Sequence, residues 1–168
     1  MKLRRLASLA LAAAASACGT TEEPVKDPGP VEYRRPPELA EIRSLEDRRV
    51  YDETLYRHLK HPDPIVRRRT LAALGRVGHP STIPHVAAAL EDPDRKTIED
   101  AAFALGLIGS PEAFDHLQPL LDSPEPDLRA LALEAIGRLG NPAFAPYAVA
   151  KAKDGSSAVR REVATALM

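Results

Sequence analysis

The sequence predicts an all-α fold, a right-handed α-α superhelix of about three and a half 31-residue helical hairpins stacked side by side. Three observations predict it. From residue 50 onward the chain matches itself at a shift of 31 residues. Each unit carries two short segments of helical periodicity separated by Gly and Pro. Aromatics are only 4% of the chain and Trp is absent, while 16 Pro punctuate an Ala- and Leu-rich sequence that suits short, closely packed helices.

The repeat carries most of the argument. Gly75, Gly106 and Gly137 align, as do Gly78, Gly109 and Gly140, and then Pro80, Pro111 and Pro142. Pro62, Pro93 and Pro124 fall into register, with Gly155 in the next copy. Leu74, Leu105, Ile136 and Leu167 share one slot, and Ala73, Ala104, Ala135 and Ala166 share another. In the first unit a helix is predicted over Pro64–Val77, with Val66, Thr70, Ala73, Leu74 and Val77 on one stripe. Gly78 supplies a left-handed cap and Pro80 stops the helix. A first helix of the next unit is predicted over Thr82–Leu90, burying Ile83, Val86 and Leu90, and Phe114, Leu117 and Leu121 repeat that pattern. One hairpin has too little surface to bury alone, so the units must stack. The glycines at 75, 106 and 137 then allow neighbouring helix backbones to approach closely.

Upstream of the repeats, Leu39, Ile42 and Leu45 offer an apolar stripe that would cover the N-terminal end of the stack, with Glu38, Glu41, Arg43 and Glu46 toward water. Ser44-Leu45-Glu46-Asp47 has the form of a capping box that opens a helix. At the other end Met168 falls in the glycine slot of a fourth, incomplete unit, so the last helix is expected to expose Val159, Val163 and Leu167. The domain reading is a leader at 1–17, a tether at 18–37 and a repeat domain at 38–168. Within that domain a capping helix covers about 38–49, followed by units at about 50–80, 81–111, 112–142 and 143–168.

The leader has a basic start (Lys2, Arg4, Arg5) and an apolar run of Leu and Ala of about 12 residues, too short to span a bilayer as a helix. Ala15-Ser16-Ala17 then precedes the only Cys, Cys18, so no intramolecular disulfide can form. Ser16, Ala17 and Cys18 resemble the lipobox of bacterial lipoproteins, although Ala15 stands where Leu is usual. That resemblance implies lipidation of Cys18 and a periplasm-facing anchor in the cell envelope. The same resemblance implies the outer membrane, since Gly19, rather than Asp, follows the Cys. Ala15-Ser16-Ala17 equally fits an ordinary signal-peptidase site, which would release a soluble binding module without lipid. Gly19 to Pro37 holds Pro24, Pro28, Pro30, Pro36 and Pro37 among charged residues and reads as an unfolded tether.

Pro-Ile-Val-Arg at 64–67, Pro-Asp-Leu-Arg at 126–129 and Ser-Ala-Val-Arg at 157–160 each precede Ala-Leu-Gly-x-x-Gly or a variant of it. These motifs resemble the HEAT-like repeats of phycobilisome-lyase proteins, over about residues 50–168. The resemblance implies a HEAT-type α-solenoid whose second helices line the binding side. On that side it places Arg68, Arg69 and Arg76 in the first unit, Phe103 and Leu107 in the second, and Leu131, Glu134 and Arg138 in the third. Phe103 and Leu107, one turn apart and rimmed by charge, have the form of a protein-binding anchor or of a gap filler between helices. Arg67, Arg129 and Arg160 are expected to pair with acids in the turns, a ladder interrupted by Ile98.

Net charge is −1, and removing the three leader cations leaves −4, the wrong sign for a nucleic-acid binder that would use Arg68, Arg69 and Arg76. Of the five histidines, His58 and His61 with Asp63 could gather at a metal, but they straddle Pro62, and His85 and His116 are repeat equivalents on separate helices. All five are expected at the surface or at helix ends, with no metal and no cofactor. No nucleophile motif, phosphate loop or zinc-spaced Cys set occurs. The expectation is therefore a non-enzymatic, membrane-anchored scaffold for an unknown protein partner. The alternative is a lyase-like or chaperone enzyme acting on a cofactor-bearing protein.

Overall fold

The structure, a computed structural model, describes residues 36–168. The leader at 1–17, Cys18 and all but the end of the tether lie outside the described residues. No helix of the described residues is long and apolar enough to cross a membrane.

Nine α-helices and no strand occur among the described residues. They are α1 (Glu38–Asp47), α2 (Glu53–Tyr56), α3 (Pro64–Val77), α4 (Ile83–Ala88), α5 (Arg95–Ile108), α6 (Phe114–Leu117), α7 (Pro126–Arg138), α8 (Ala145–Ala150) and α9 (Ser157–Ala166). The long helices α3, α5, α7 and α9 pack in sequence, each against the next, and α1 packs on α3. The shorter α2, α4, α6 and α8 form a second layer, so the molecule is an α-solenoid.

Each long helix starts and stops for local reasons. The Asp63 carboxylate accepts from the Ile65 N–H at 2.8 Å, and Asp94 does the same for Thr97 at 2.9 Å. Pro64 and Pro126 open α3 and α7, where a missing N–H costs nothing. Gly78 and Gly109 end α3 and α5 with φ of +69° and +68°. The expected bounds Pro64–Val77 are the observed ones. The expected helix Thr82–Leu90 is α-helical only over Ile83–Ala88, between 3-10 turns Pro80–Thr82 and Ala89–Glu91. Pro80 and Pro84 remove donors within five residues, which leaves room for little more than one α-turn between tighter ones.

The core is one apolar layer between the two helix rows. Val66, Leu71, Leu74, Val86, Leu105, Leu117, Leu133 and Val159 are all fully buried. The first-helix layer is also joined by rings: Tyr56 stacks on His85 at 3.9 Å and Phe114 on Phe144 at 4.0 Å between centroids.

The long helices touch through their backbones. A Cβ placed on Gly75 would lie 3.0 Å from Ala104 Cα. On Gly106 it would lie 3.1 Å from Ala135 Cα, and on Gly137 2.8 Å from Ala166 Cα. The aligned Gly and Ala slots are therefore partners across each interface, glycine of one unit against alanine of the next.

Two expectations about the ends are corrected. Ser44-Leu45-Glu46-Asp47 closes α1 instead of opening a helix. The Val50 N–H donates to the Leu45 carbonyl and the Arg49 N–H to that of Glu46, with Arg49 at φ +53° in the position glycine usually takes. Glu46 consequently turns toward α3 and not to water. At the far end Val159 and Val163 are buried, because they face α7 and α8, and only Leu167 of the three expected residues is exposed.

The backbone contact makes a prediction. Gly106→Val should lower unfolding free energy by about 1–3 kcal/mol, the usual cost of overpacking. Urea denaturation checks it, and an unchanged midpoint would mean that α5 and α7 have room to spare.

Candidate functional site

Slots 68, 69, 72 and 76 and their repeat equivalents form the outward face of the long helices. On α3, the Arg68 Nε–H donates to Asp100 Oδ2 of α5 at 2.6 Å. The Arg69 Nη2–H donates to Glu46 Oε2 at 2.7 Å, and Arg76 donates to the other oxygen of the same carboxylate. The three arginines weighed as a phosphate-contacting stripe are thus each in an ion pair with a neighbouring helix. On α7, Arg138 pairs with Glu134 at 2.8 Å, one turn apart.

Between these neutralised pairs lies the apolar patch. Phe103 is 40% and Leu107 39% exposed, one turn apart on α5. The Arg138 guanidinium sits over the Phe103 ring, 4.6 Å from its centroid. Leu107 reaches back over α3, where a Cβ on Gly75 would come within 3.3 Å of its Cδ1. Arg138 reaches back over α5 in the same way, its Cδ 3.0 Å from a Cβ on Gly106. Each glycine therefore lets its helix neighbour approach and also admits one overhanging side chain. Leu131 is partly buried and packs against the core. Phe103, Leu107, Glu134 and Arg138 are brought together; Arg68, Arg69 and Arg76 are drawn toward α1 and Asp100.

Two of the three turn arginines pair with turn acids as expected, while Arg160 donates instead to the carbonyls of Asp154 and Gly155 at 2.7 and 3.0 Å. Arg67 makes two parallel bonds to Asp92, both 2.7 Å, and Arg129 two to Asp154, 2.9 and 2.8 Å. The Arg67 guanidinium holds the Asp92 carboxyl below its usual range, and Arg129 with the Ser156 N–H lowers that of Asp154 to about 2.

Expected surface histidines include one that is buried. His58 is 5% exposed, its Nε2 has no hydrogen-bond partner, and the Glu41 carboxylate stands 3.4 Å away. Burial pushes its pKa down, outweighing the pull of Glu41. Sequence periodicity missed it because His58 lies in a 3-10 turn, Arg57–Lys60, where the α-helical spacing does not apply. His61 faces Glu38 at 3.8 Å, while His79 and His85 stack on Tyr51 and Tyr56. No three potential metal ligands converge among the described residues. A cleft of about 460 Å³ opens beside the Tyr56–His85 stack, lined also by Arg57, Lys60 and Asp92.

Residues 53–127 and 116–168 match the HEAT-repeat family. No curated protein matches the chain significantly. Among solved structures it is similar to the complex of CpcE and CpcF of phycocyanin lyase from Nostoc sp. PCC7120, at 24% identity and a TM-score of 0.60. That match covers 77% of this chain and 57% of the other. Human deoxyhypusine hydroxylase in complex with glycerol follows at 23% identity and 0.59, covering 82% and 44%. An engineered protein matches at 18% identity and 0.53, covering 77% and 65%. The chain thus spans from under half to about two-thirds of the length of the structures it resembles.

These matches correct the expectation of a non-enzyme. Two of the three carry the names of enzymes, a lyase and a hydroxylase, so missing sequence motifs do not exclude catalysis on this fold. Side chains gathered from successive helices can form a site without any contiguous motif.

Asp154, in the turn before α9, gives the stability of the stack a pH signature. Its folded pKa lies below the ordinary 3.8, so its contribution is present above about pH 4 and is lost as pH falls toward 2. Asp154→Asn should be less stable than the parent by a constant margin from pH 7 to 5. That margin should close between about pH 4 and 2 in denaturation series; a margin independent of pH throughout would rule out the ion pair.

Proposed function

The chain belongs to the HEAT-repeat family, and from that premise we propose that it is a lipid-anchored scaffold presenting its long-helix face to a protein partner in the bacterial cell envelope. One observation carries the reading: two large apolar side chains, Phe103 and Leu107, stand side by side and two-fifths exposed where every neighbouring arginine is already engaged. Exposed aromatic and aliphatic residues within a polar surround form the usual core of a protein-binding patch. A charge-neutral rim of paired Arg and Glu leaves apolar contact as the main source of affinity there. The solved complex of CpcE and CpcF, which joins two proteins in a structure of similar fold, supports an interaction role.

The anchor half of the proposal rests on the leader and Cys18. A lipid on Cys18 and a Pro-rich tether would hold the stack away from the membrane surface with the long-helix face free to search. The outer membrane is the proposed site, on the residue that follows the cysteine.

Replacing Phe103 and Leu107 together by Ser should abolish partner capture from envelope extracts while leaving helical circular dichroism unchanged. Capture that survives the double substitution would place the interface elsewhere. Intact mass of the membrane-extracted protein tests the anchor: a lipid on Cys18 is expected, and loss of membrane association in Cys18→Ser. A mature chain starting at Cys18 with a free thiol would refute it.

A further inference from the structure

The helices α5, α7 and α9 each pack on the long helix before them, glycine against alanine. The matching alanine of α3, Ala73, is fully buried as well, and the helix packed on α3 from the N-terminal side is α1. No glycine lies in α1, and it is joined to the stack by other means. Ile42 and Leu45 are buried, and three of its carboxylates reach basic side chains of other elements. Glu38 faces His61, Glu41 pairs with Arg57 and faces His58, and Glu46 holds Arg69 and Arg76.

The chain after α1 has a strained part and an anchored part. Arg49 stands at φ +53°, a region that is costly for a residue with a Cβ. Two residues on, Tyr51 stacks on His79 at 4.1 Å between centroids, and Asp52 caps α2 by accepting from the Thr54 N–H at 2.9 Å. Movement of α1 would therefore pivot at residues 48–50 and leave α2 in place.

His58 lies beneath this helix. Its ring is 5% exposed and its Nε2 has no hydrogen-bond partner. The groups facing it are Glu41 and Glu38 of α1 and Arg57 and His61 of its own stretch of chain. Lys60 of the same turn and Glu53 of α2 line the neighbouring cleft instead. From α3, Arg67 is directed to the carbonyls of His61 and Pro62 and to Asp92. Glu41 has one oxygen on Arg57 and the other 3.4 Å from Nε2, beyond the range of a good hydrogen bond. A proton on Nε2 would bring a second cation to a carboxylate that Arg57 already neutralises, in a site closed to water. Burial accordingly holds the pKa of His58 below its ordinary 6.5. With α1 lifted away the ring would meet water and titrate normally. A histidine depressed in this way favours the docked helix fully above about pH 6.5, and that preference declines as pH falls below it.

We propose that α1 is an acid-released latch, closed over His58 at neutral pH and loosened from α3 when that ring takes up a proton. Release carries Glu46 away from Arg69 and Arg76, so a stripe that is neutral in the closed stack becomes basic, on the face that also carries Phe103 and Leu107. The latch works whether or not that apolar patch binds a partner.

Hydrogen exchange of the full chain between about pH 7.5 and 5.5 tests it, a window in which histidines titrate and carboxylates of ordinary pKa stay ionised. After correction for intrinsic rates, protection of amides 42–48 should fall roughly threefold or more across the window, while protection in α5 and α7 holds constant. An equal fall in all three helices overturns the proposal, because it reports a general loss of stability. His58→Gln should abolish the response, and His61→Gln, whose ring faces Glu38, should retain it. The reverse outcome for either variant overturns the proposal. Because His58→Gln can itself fail to fold, ring-carbon NMR titration of His58 in the unsubstituted chain gives a second reading. A midpoint below 6.5 that coincides with the loss of α1 protection supports the latch, and a midpoint at 6.5 or above overturns it.

Discussion

Backbone contact between consecutive long helices is the constraint on which the rest depends. Where Gly75 meets Ala104, Gly106 meets Ala135 and Gly137 meets Ala166, there is no room for a side chain between the two helix backbones. Close approach brings the turn of one unit within reach of the preceding helix, so that Arg67 can hold Asp92 and Arg129 can hold Asp154 through two bonds each. It also determines what overhangs. Leu107 and Arg138 lie across the glycine of the helix before them, and Arg138 from there covers the face of Phe103. Packing, ion pairing and the shape of the outward face follow from one small residue per unit.

Charge on this molecule is mostly spent internally. Glu46 holds Arg69 and Arg76, Asp100 holds Arg68, and Glu134 holds Arg138. Surface ion pairs of this kind contribute little each to stability. Their consequence is functional: a stripe that reads as basic in the sequence is neutral in the fold, and the exposed apolar pair between its members becomes the distinctive feature. The buried turn pairs differ. Arg67 and Asp92 are about nine-tenths buried and bidentate, and their joint replacement by Ile98 and Ser123 in the second unit avoids leaving one buried charge alone.

Much of this was legible in the sequence because repetition turns single residues into columns. For α3 the reading matched the observed bounds, since cap, proline and stripe agreed at its two ends. What was not legible depended on spatial neighbours. Ser44 and Glu46 fit the pattern of a helix start, yet the same residues close α1, because a left-handed Arg49 does the work expected of glycine. His58 is hidden in a 3-10 turn whose period differs from the one used to read the helices. The pairing of Arg69 and Arg76 to Glu46 spans 23 and 30 residues and crosses from α3 to α1, a contact with no repeat equivalent to announce it.

The face carrying Phe103 and Leu107 inherits its geometry from the helix spacing, so that spacing is what most needs direct measurement. Nuclear Overhauser contacts from the Hα protons of Gly75, Gly106 and Gly137 to Ala104, Ala135 and Ala166, respectively, would report it in solution. Strong Hα–Hα and Hα–Hβ contacts at all three junctions are predicted. Their absence, with contacts to intervening side chains in their place, would contradict the account.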